Sequence, residues 1–158
     1  MEQGVIDVGS LAGGIDLQAT VESGQSYLWD RDDGKMYQRD GATGGDAWYW
    51  TTVRRDGSPE VIRVRQQDGM LEWESTVDAE ADLRRLLRLD DDLAAIRSTA
   101  PDDDVVQSAY ETFWGMRLVQ DPPFGSLISF ICSAQMRVAR IHSMQQALRD
   151  AFGEEVEF

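Results

Sequence analysis

The chain has 158 residues, 42% of them hydrophobic, which is enough for one compact core or one and a half closely packed small ones and excludes a disordered polymer. Its net charge of −14 comes from 29 acidic against 15 basic residues, of which only Lys35 is a lysine; this suits a high-salt cytoplasm such as a halophilic archaeon's, where strong screening suppresses self-repulsion. A lone cysteine, Cys132, and a lone histidine, His142, exclude an intramolecular disulfide and a four-ligand zinc site; with no membrane-length apolar run and no signal-peptide start, a soluble, cytoplasmic chain without cofactor or metal is expected.

In chain order the first element is a strand over 15–20, where Ile15, Leu17 and Ala19 alternate with polar partners. Three pairs, Asp33-Gly34, Asp56-Gly57 and Asp68-Gly69, mark tight turns, because both residue types tolerate positive backbone angles. Between them fall strands over 35–39, 47–53, 60–66 and 70–75, and 41–45 is a loose hairpin loop. Ile62 and Val64 alternate with Arg63 and Arg65, so five or six antiparallel strands with one buried face are predicted. Trp48, Trp50 and Trp73 fall in strands as core or sheet-face residues. The buried face requires helices to cover it.

Helical spacing begins near Asp78, where an acidic residue can cap a first turn and Leu83, Leu86 and Leu87 recur. A short helix over 91–97 follows. Pro101 with Asp102, Asp103 and Asp104 opens a third, striped by Val105, Val106, Ala109, Tyr110 and Phe113. Asp121-Pro122-Pro123 is another helix entry, with Asp121 as cap and proline tolerated in the first turn. Its helix carries Phe124, Leu127, Ile128, Ile131 and Cys132 on a wide apolar face and is predicted to be the central one of the helical part. After a break over 134–137, a last helix runs over 138–152 with Ile141, Leu148 and Phe152 inward and Gly153 as terminator.

Over 116–149 the charged residues are Arg117, Asp121, Arg137, Arg140 and Arg149, a basic excess inside an acidic chain and the segment expected to face DNA. Ordinary structural roles account for other candidates. The run 30–34 has the flavour of a calcium loop, but its glycine falls at the wrong offset, so it is a turn. The aspartates at 90–92 and 102–104 read as helix caps rather than as an acid–base pair, and His142 as an ordinary residue on a polar face. Lys35, beside an Asp-Gly turn, reads as a solvated residue rather than a nucleophile. Taken alone, Arg137 and Arg140 fit either a solvated helix start or a phosphate contact.

Two segments carry a family resemblance. Ser23-Gly24-Gln25-Ser26-Tyr27-Leu28-Trp29 is similar to a Gly-Gln-Ser/Cys-Phe-Arg-Trp signature. Gly115-Met116-Arg117-Leu118, continuing through Gln120-Asp121-Pro122 and Ser129-Phe130-Ile131-Cys132-Ser133 to Ala139-Arg140-Ile141, is the second. Together they resemble the N-terminal half of an archaeal-type 8-oxoguanine DNA glycosylase and abasic-site lyase, over almost the whole chain from about Ile15. The resemblance implies base-excision repair with duplex DNA containing oxidised guanine as the partner. The family's catalytic lysine and aspartate lie C-terminal to this region, so no catalytic residue is assigned and the chain alone is expected to be inactive, its catalytic half missing.

The resemblance further implies that the main-chain oxygen of Gly24 senses the lesion. Guanine N7 accepts a hydrogen bond, whereas 8-oxoguanine carries a hydrogen there, so a fixed carbonyl attracts the damaged base and repels the normal one. Gln135 stands where relatives have an asparagine bordering the gap left by the extruded base, and Arg140 matches an arginine that contacts the orphaned cytosine. Arg137 is a DNA-binding candidate beside them. Gln135, Met136 and Arg137 depart from the family's asparagine run.

The expected fold is α+β: residues 1–100 form an antiparallel β-meander, TATA-binding-protein-like, packed with helices, and 101–158 begin an all-α glycosylase domain that stops before its helix-hairpin-helix. The alternatives are a non-catalytic damaged-DNA-binding or interaction module and a glycosylase of related architecture for alkylated purines, which the Gly24 motif disfavours.

Overall fold

The computed structural model describes residues 1–37, 47–156 and 158. Among them, five strands form one antiparallel sheet in the order β1-β5-β4-β3-β2, with β1 Glu2–Asp7, β2 Asp30–Arg31, β3 Tyr49–Arg55, β4 Ser58–Gln67 and β5 Met70–Ser75. The β3-β4-β5 meander turns at Asp56-Gly57 and Asp68-Gly69, whose φ values of 52°, 88°, 51° and 77° fit two-residue hairpin loops that match the strands' twist. β1 closes one margin by pairing Glu2 with Ser75 through Asp7 with Met70. β2 lies at the other margin on β3.

Alternation puts Tyr49, Ile62, Val64, Leu71 and Trp73 on one face, and all are buried. Helix α1, Leu17–Val21, and helix α2, Glu80–Leu86, cover that face with Leu17, Val21, Leu83 and Leu86. The strand predicted over 15–20 is therefore a correction: most of it is α1. Asp16 caps the helix by accepting from Ala19 N at 2.8 Å, and Leu17, Thr20 and Val21 turn inward at helical spacing. Over six residues, apolar alternation does not separate period two from period 3.6. Lys35 to Tyr37 form a turn rather than a strand start, with Tyr37 at φ 61°; the rest of the strand expected over 35–39, and the 41–45 loop, lie outside the described residues.

Four more helices follow α1 and α2: α3 Leu93–Ser98, α4 Asp104–Thr112, α5 Pro123–Ser133 and α6 Val138–Phe152. Asp92 caps α3 and Asp103 caps α4, so the aspartate clusters sit at helix starts as expected, while Asp90 and Asp91 pair with Arg84 and Arg88. The stripe expected to bury α4 does not: none of its residues is buried, and Phe113 just beyond it is exposed.

The apolar residues of α5 divide between two sides of the helix. Ser129 and Cys132 are buried, and Ile128 packs beside Tyr27, Cys132 and Ile141, whereas Phe124, Leu127, Phe130 and Ile131 are 75%, 56%, 78% and 65% exposed. On α6 the buried residues are Ile141, His142 and Gln145; Leu148 and Phe152 are exposed, against the expectation. The inner face of α6 is polar because a buried carboxylate waits for it there.

Candidate nucleic-acid interface

The site is assembled by the segment between α1 and β2, whose residues have separable tasks. Ser23 Oγ donates to Thr20 O at 3.0 Å and closes the end of α1. Gly24 follows at φ 83°, in the left-handed region that a side chain rarely adopts. A Cβ placed there would lie 3.2 Å from Val138 Cγ2, so Gly24 also lets the turn approach the start of α6.

Gln25 is a clamp. Its Nε2 donates to Thr20 O at 3.1 Å and Arg117 O at 2.7 Å, and its Oε1 accepts from Val119 N at 2.9 Å. Ser26, fully buried, donates from Oγ to Asp121 at 2.9 Å, and its carbonyl accepts from the Tyr37 hydroxyl at 2.9 Å. Burial raises the Tyr37 pKa, with the nearby Tyr27 adding to the effect. Trp29 fills the core at 1% exposure. The two sequence signatures are thus halves of one interlock.

Asp121 is not the α5 cap expected from Asp121-Pro122-Pro123. Pro122 occupies the cap position without a side-chain bond, and Asp121 turns back to Ser26. Burial raises its pKa, and the Ser26 hydrogen bond opposes the shift.

Arg117 is likewise not a DNA-facing residue. Its side chain is 1% exposed and donates to four main-chain oxygens: Gly14 at 2.8 Å, Arg88 at 2.7 Å, Asp91 at 3.0 Å and Ala12 at 3.1 Å. Burial lowers its pKa. Gly115, at φ 89°, accepts from Asp16 N through its carbonyl at 2.8 Å, and a Cβ there would sit 2.8 Å from that nitrogen. The signature from Gly115 to Asp121 therefore docks the chain onto α1 and the loop after α2.

The segment joining α5 to α6 holds the remaining expected residues. Gln135 is exposed at φ 60°, a left-handed conformation that asparagine adopts more readily than glutamine. Arg137 occupies the cap position of α6, which has no side-chain cap; the Arg140 amide donates to Arg137 O at 2.9 Å, and the Val138 and Ala139 amides are the ones an anion could meet. Arg137 and Arg140 are exposed, and among the described residues neither pairs with a carboxylate. By contrast Arg31, Arg55, Arg63, Arg65, Arg84, Arg85, Arg88, Arg97 and Arg149 all do. Lys35, Arg54 and Arg117 also lack a carboxylate partner among the described residues, but at the start of α6 two such exposed cations stand three residues apart.

A cleft of about 1470 Å³ lies between α1, the β4–β5 turn, the residues after α4 and the start of α6. Ser23, Trp114, Met116, Arg137 and Val138 line it, and Gly24 is adjacent through Val138. Its volume is ample for an extruded nucleotide. Of the expected residues Arg137 lines the cleft, Gly24 lies behind its Ser23 and Val138, and Gln135 and Arg140 are not part of its lining. Glu22, also in the wall, is neutralised by Arg31 at 3.1 Å and accepts from the Tyr49 hydroxyl at 2.7 Å.

Sequence reasoning missed a second cluster. Asp30, 4% exposed, accepts from His142 Nε2 at 2.8 Å, Gln146 Nε2 at 3.0 Å and Arg149 Nη2 at 2.9 Å. His142 is buried rather than solvated, and Arg149 is paired rather than free. The signal was available: positions 142, 146 and 149 share one face of a helix. Lys35 is exposed beside its turn, as expected. Among the described residues no group of His, Cys, Asp and Glu is arranged to hold a metal, and no helix is long and apolar enough to cross a membrane.

An antiparallel sheet backed by helices and running into a helical layer with an open cleft is the architecture of a DNA glycosylase's N-terminal half, and three solved relatives share it. MBOgg1 in complex with a low-affinity DNA ligand is 23% identical with a TM-score of 0.72 over 100% of this chain and 52% of that one. The Clostridium acetobutylicum 8-oxoguanine glycosylase/lyase matches in its apo-form at 17% identity and a TM-score of 0.73, over 100% of this chain and 50% of that one. With double-stranded DNA containing cytosine opposite 8-oxoguanine it matches at 19% and 0.70, over 91% and 45%. The 3-methyladenine DNA glycosylase of Archaeoglobus fulgidus matches at 13% and 0.65, over 98% and 52%. These likenesses establish the fold, and the chain spans about half the length of the relatives.

Residues 10–127 match the family model of the 8-oxoguanine DNA glycosylase, N-terminal domain, and the chain belongs to that family.

Proposed function

We propose that the chain recognises 8-oxoguanine extruded from duplex DNA, as the N-terminal part of an 8-oxoguanine DNA glycosylase and abasic-site lyase acting in the cytoplasm of a halophile. The observation that carries this reading is the close approach of Gly24 to Val138 beside a cleft that Arg137 also lines. In the proposed complex the Gly24 carbonyl accepts from N7–H of the lesion, and Arg140 donates to the acceptors of the orphaned cytosine. Gln135 borders the gap, and Arg137 with the open amides of α6 holds a phosphate. The solved relatives bound to DNA, one with cytosine opposite 8-oxoguanine, support the choice of partner.

The chemical step is assigned to residues outside this chain, since Lys35, the one lysine, is exposed. The exposed apolar face of α5 is the proposed seat for the half that the relatives possess beyond the matched region. The chain by itself is then a damaged-DNA-binding module without glycosylase activity.

The test is binding of the chain to three duplexes that differ at one base opposite cytosine. The 8-oxoguanine duplex should bind more tightly than the guanine duplex by about 1–3 kcal/mol, since the normal base leaves a buried acceptor unpaired. The duplex with 7-deaza-8-oxoguanine, which keeps the 8-oxygen and replaces the N7–H donor with CH2, should lose most of that preference. Equal affinity for lesion and guanine duplexes would overturn the proposal.

A further inference from the structure

We propose that Asp30 is a positioning residue that sets how α6 presents Arg137 and Arg140; its consequence for DNA rests on the reading of those arginines given above. Asp30 belongs to β2 and pairs with Trp50 of β3, so its main chain is fixed by the sheet. Its carboxylate is almost fully buried and accepts from three α6 side chains, His142 and Gln146 on Oδ1 and Arg149 on Oδ2. Donation from His142 Nε2 requires the proton on that nitrogen, which the carboxylate itself selects.

The three donors stand at i, i+4 and i+7, so together they define both the rotation and the axial position of the helix. Two further contacts stiffen the arrangement. The Tyr37 ring meets His142 edge-on with centroids 5.3 Å apart, and Arg149 Nη1 reaches Tyr27 O at 3.4 Å. Apolar packing of α6 is thin, with Ile141 its one buried apolar residue among the described ones and Met144 half-buried beside it, and Gln145 Nε2 adds one bond to Ser129 Oγ of α5 at 3.0 Å.

Asp30 also ends the stretch that begins at Gly24. The residue proposed to sense the lesion and the helix proposed to read the opposite base are thereby tied through one carboxylate six residues from the first and on the inner face of the second. Recognition of the two sides of the base pair is geometrically coupled.

The experiment uses the full chain and the variants Asp30→Ala, Asp30→Asn, Asp30→Leu, Gln146→Met and Arg140→Ala. Amide hydrogen exchange is measured on α6 and on β3 to β5, and affinities are measured for 8-oxoguanine opposite cytosine, 8-oxoguanine opposite adenine, and undamaged duplex. Asp30→Ala should speed exchange in α6 about tenfold relative to the sheet and lower the cytosine-over-adenine ratio toward that of Arg140→Ala. Binding of undamaged duplex should weaken as well, and by less than that of the lesion duplex with cytosine opposite, because Arg137 is presented by the same helix. Asp30→Asn still accepts from His142 and Gln146 and should recover half or more of both effects, whereas Asp30→Leu, which keeps the volume without any acceptor, should recover neither. Gln146→Met removes one donor at an exposed position, so it should fold and move exchange in the same direction, which decides the question even if Asp30→Ala does not fold.

Unchanged α6 exchange in folded Asp30→Ala or in Gln146→Met would overturn the proposal. So would an unchanged cytosine-over-adenine ratio in Asp30→Ala when Arg140→Ala lowers it. If Arg140→Ala itself leaves the ratio unchanged, the orphan-base reading fails, and α6 exchange still decides whether Asp30 positions the helix.

Discussion

Ser26 and Asp121 lie 95 residues apart in the chain, and the Ser26 hydroxyl donates to the Asp121 carboxylate at 2.9 Å. This contact locks the Gly24 turn to the entry of α5, which makes it a sensitive point for pH. Burial raises the Asp121 pKa, so the folded chain holds that proton more tightly than the unfolded one. The contribution to stability is fully present below the ordinary aspartate pKa of about 3.9 and is lost as pH rises through the folded value. Asp121→Asn keeps an acceptor for Ser26 and removes the titration. Urea denaturation should find it more stable than the parent at pH 7, with the difference shrinking as pH falls toward 4.

Arg117 joins two loops through four carbonyl acceptors and no carboxylate. Arg117→Met should cost about 3–5 kcal/mol, because buried oxygens lose their donors. Arg117→Lys keeps the charge without the fork and should recover only part of that. Chemical denaturation at neutral pH measures both.

Arg137 and Arg140 are both cationic but are expected to fail differently. Arg140→Ala should weaken binding to lesion duplex with cytosine opposite more than binding to single strands. Arg137→Ala should weaken binding to all duplexes alike and reduce the slope of log affinity against log salt by about 0.9. Titrations at several salt concentrations separate the two, and equal loss on duplex and single strand for Arg140→Ala would reduce it to a phosphate contact.

The outward face of α5 exposes Phe124, Leu127, Phe130 and Ile131 together. Added salt screens the repulsion between chains of net charge −14, so self-association should increase with ionic strength. Phe130→Asp should suppress it with little change in thermal stability. Light scattering between low and molar salt checks both.

Much of the sheet was legible because hairpin chemistry is local: Asp56-Gly57 and Asp68-Gly69 announce their turns, and Met70–Ser75 alternates cleanly. Helices α3 and α4 were legible through their capping aspartates. β1 was not: its inner positions include Gly4, where a Cβ would lie 2.6 Å from the Trp73 ring, so its pattern makes sense only beside β5. Gly24, Gln135 and Arg140 came from family resemblance and Arg137 from the basic excess at the helix start, and Gln135, Arg140 and Arg137 are exposed. What joins them was hidden. The Gln25 clamp, the Ser26–Asp121 bond and the Asp30 cluster each link residues about 90 or more apart; the helix period shows that 142, 146 and 149 share a face, but not that Asp30 is what they meet.

The pairing of β1 with β5 also sets an order of assembly. The β3-β4-β5 meander needs only two-residue turns, so it can form while little else is in place. Glu2 must find Ser75, and closing that large loop rewards the chain only after β5 is ready to receive it. β1 therefore gains its place only once the hairpins it joins have formed, and weakening its pairing should loosen that margin of the sheet while leaving the distant β2 side in place.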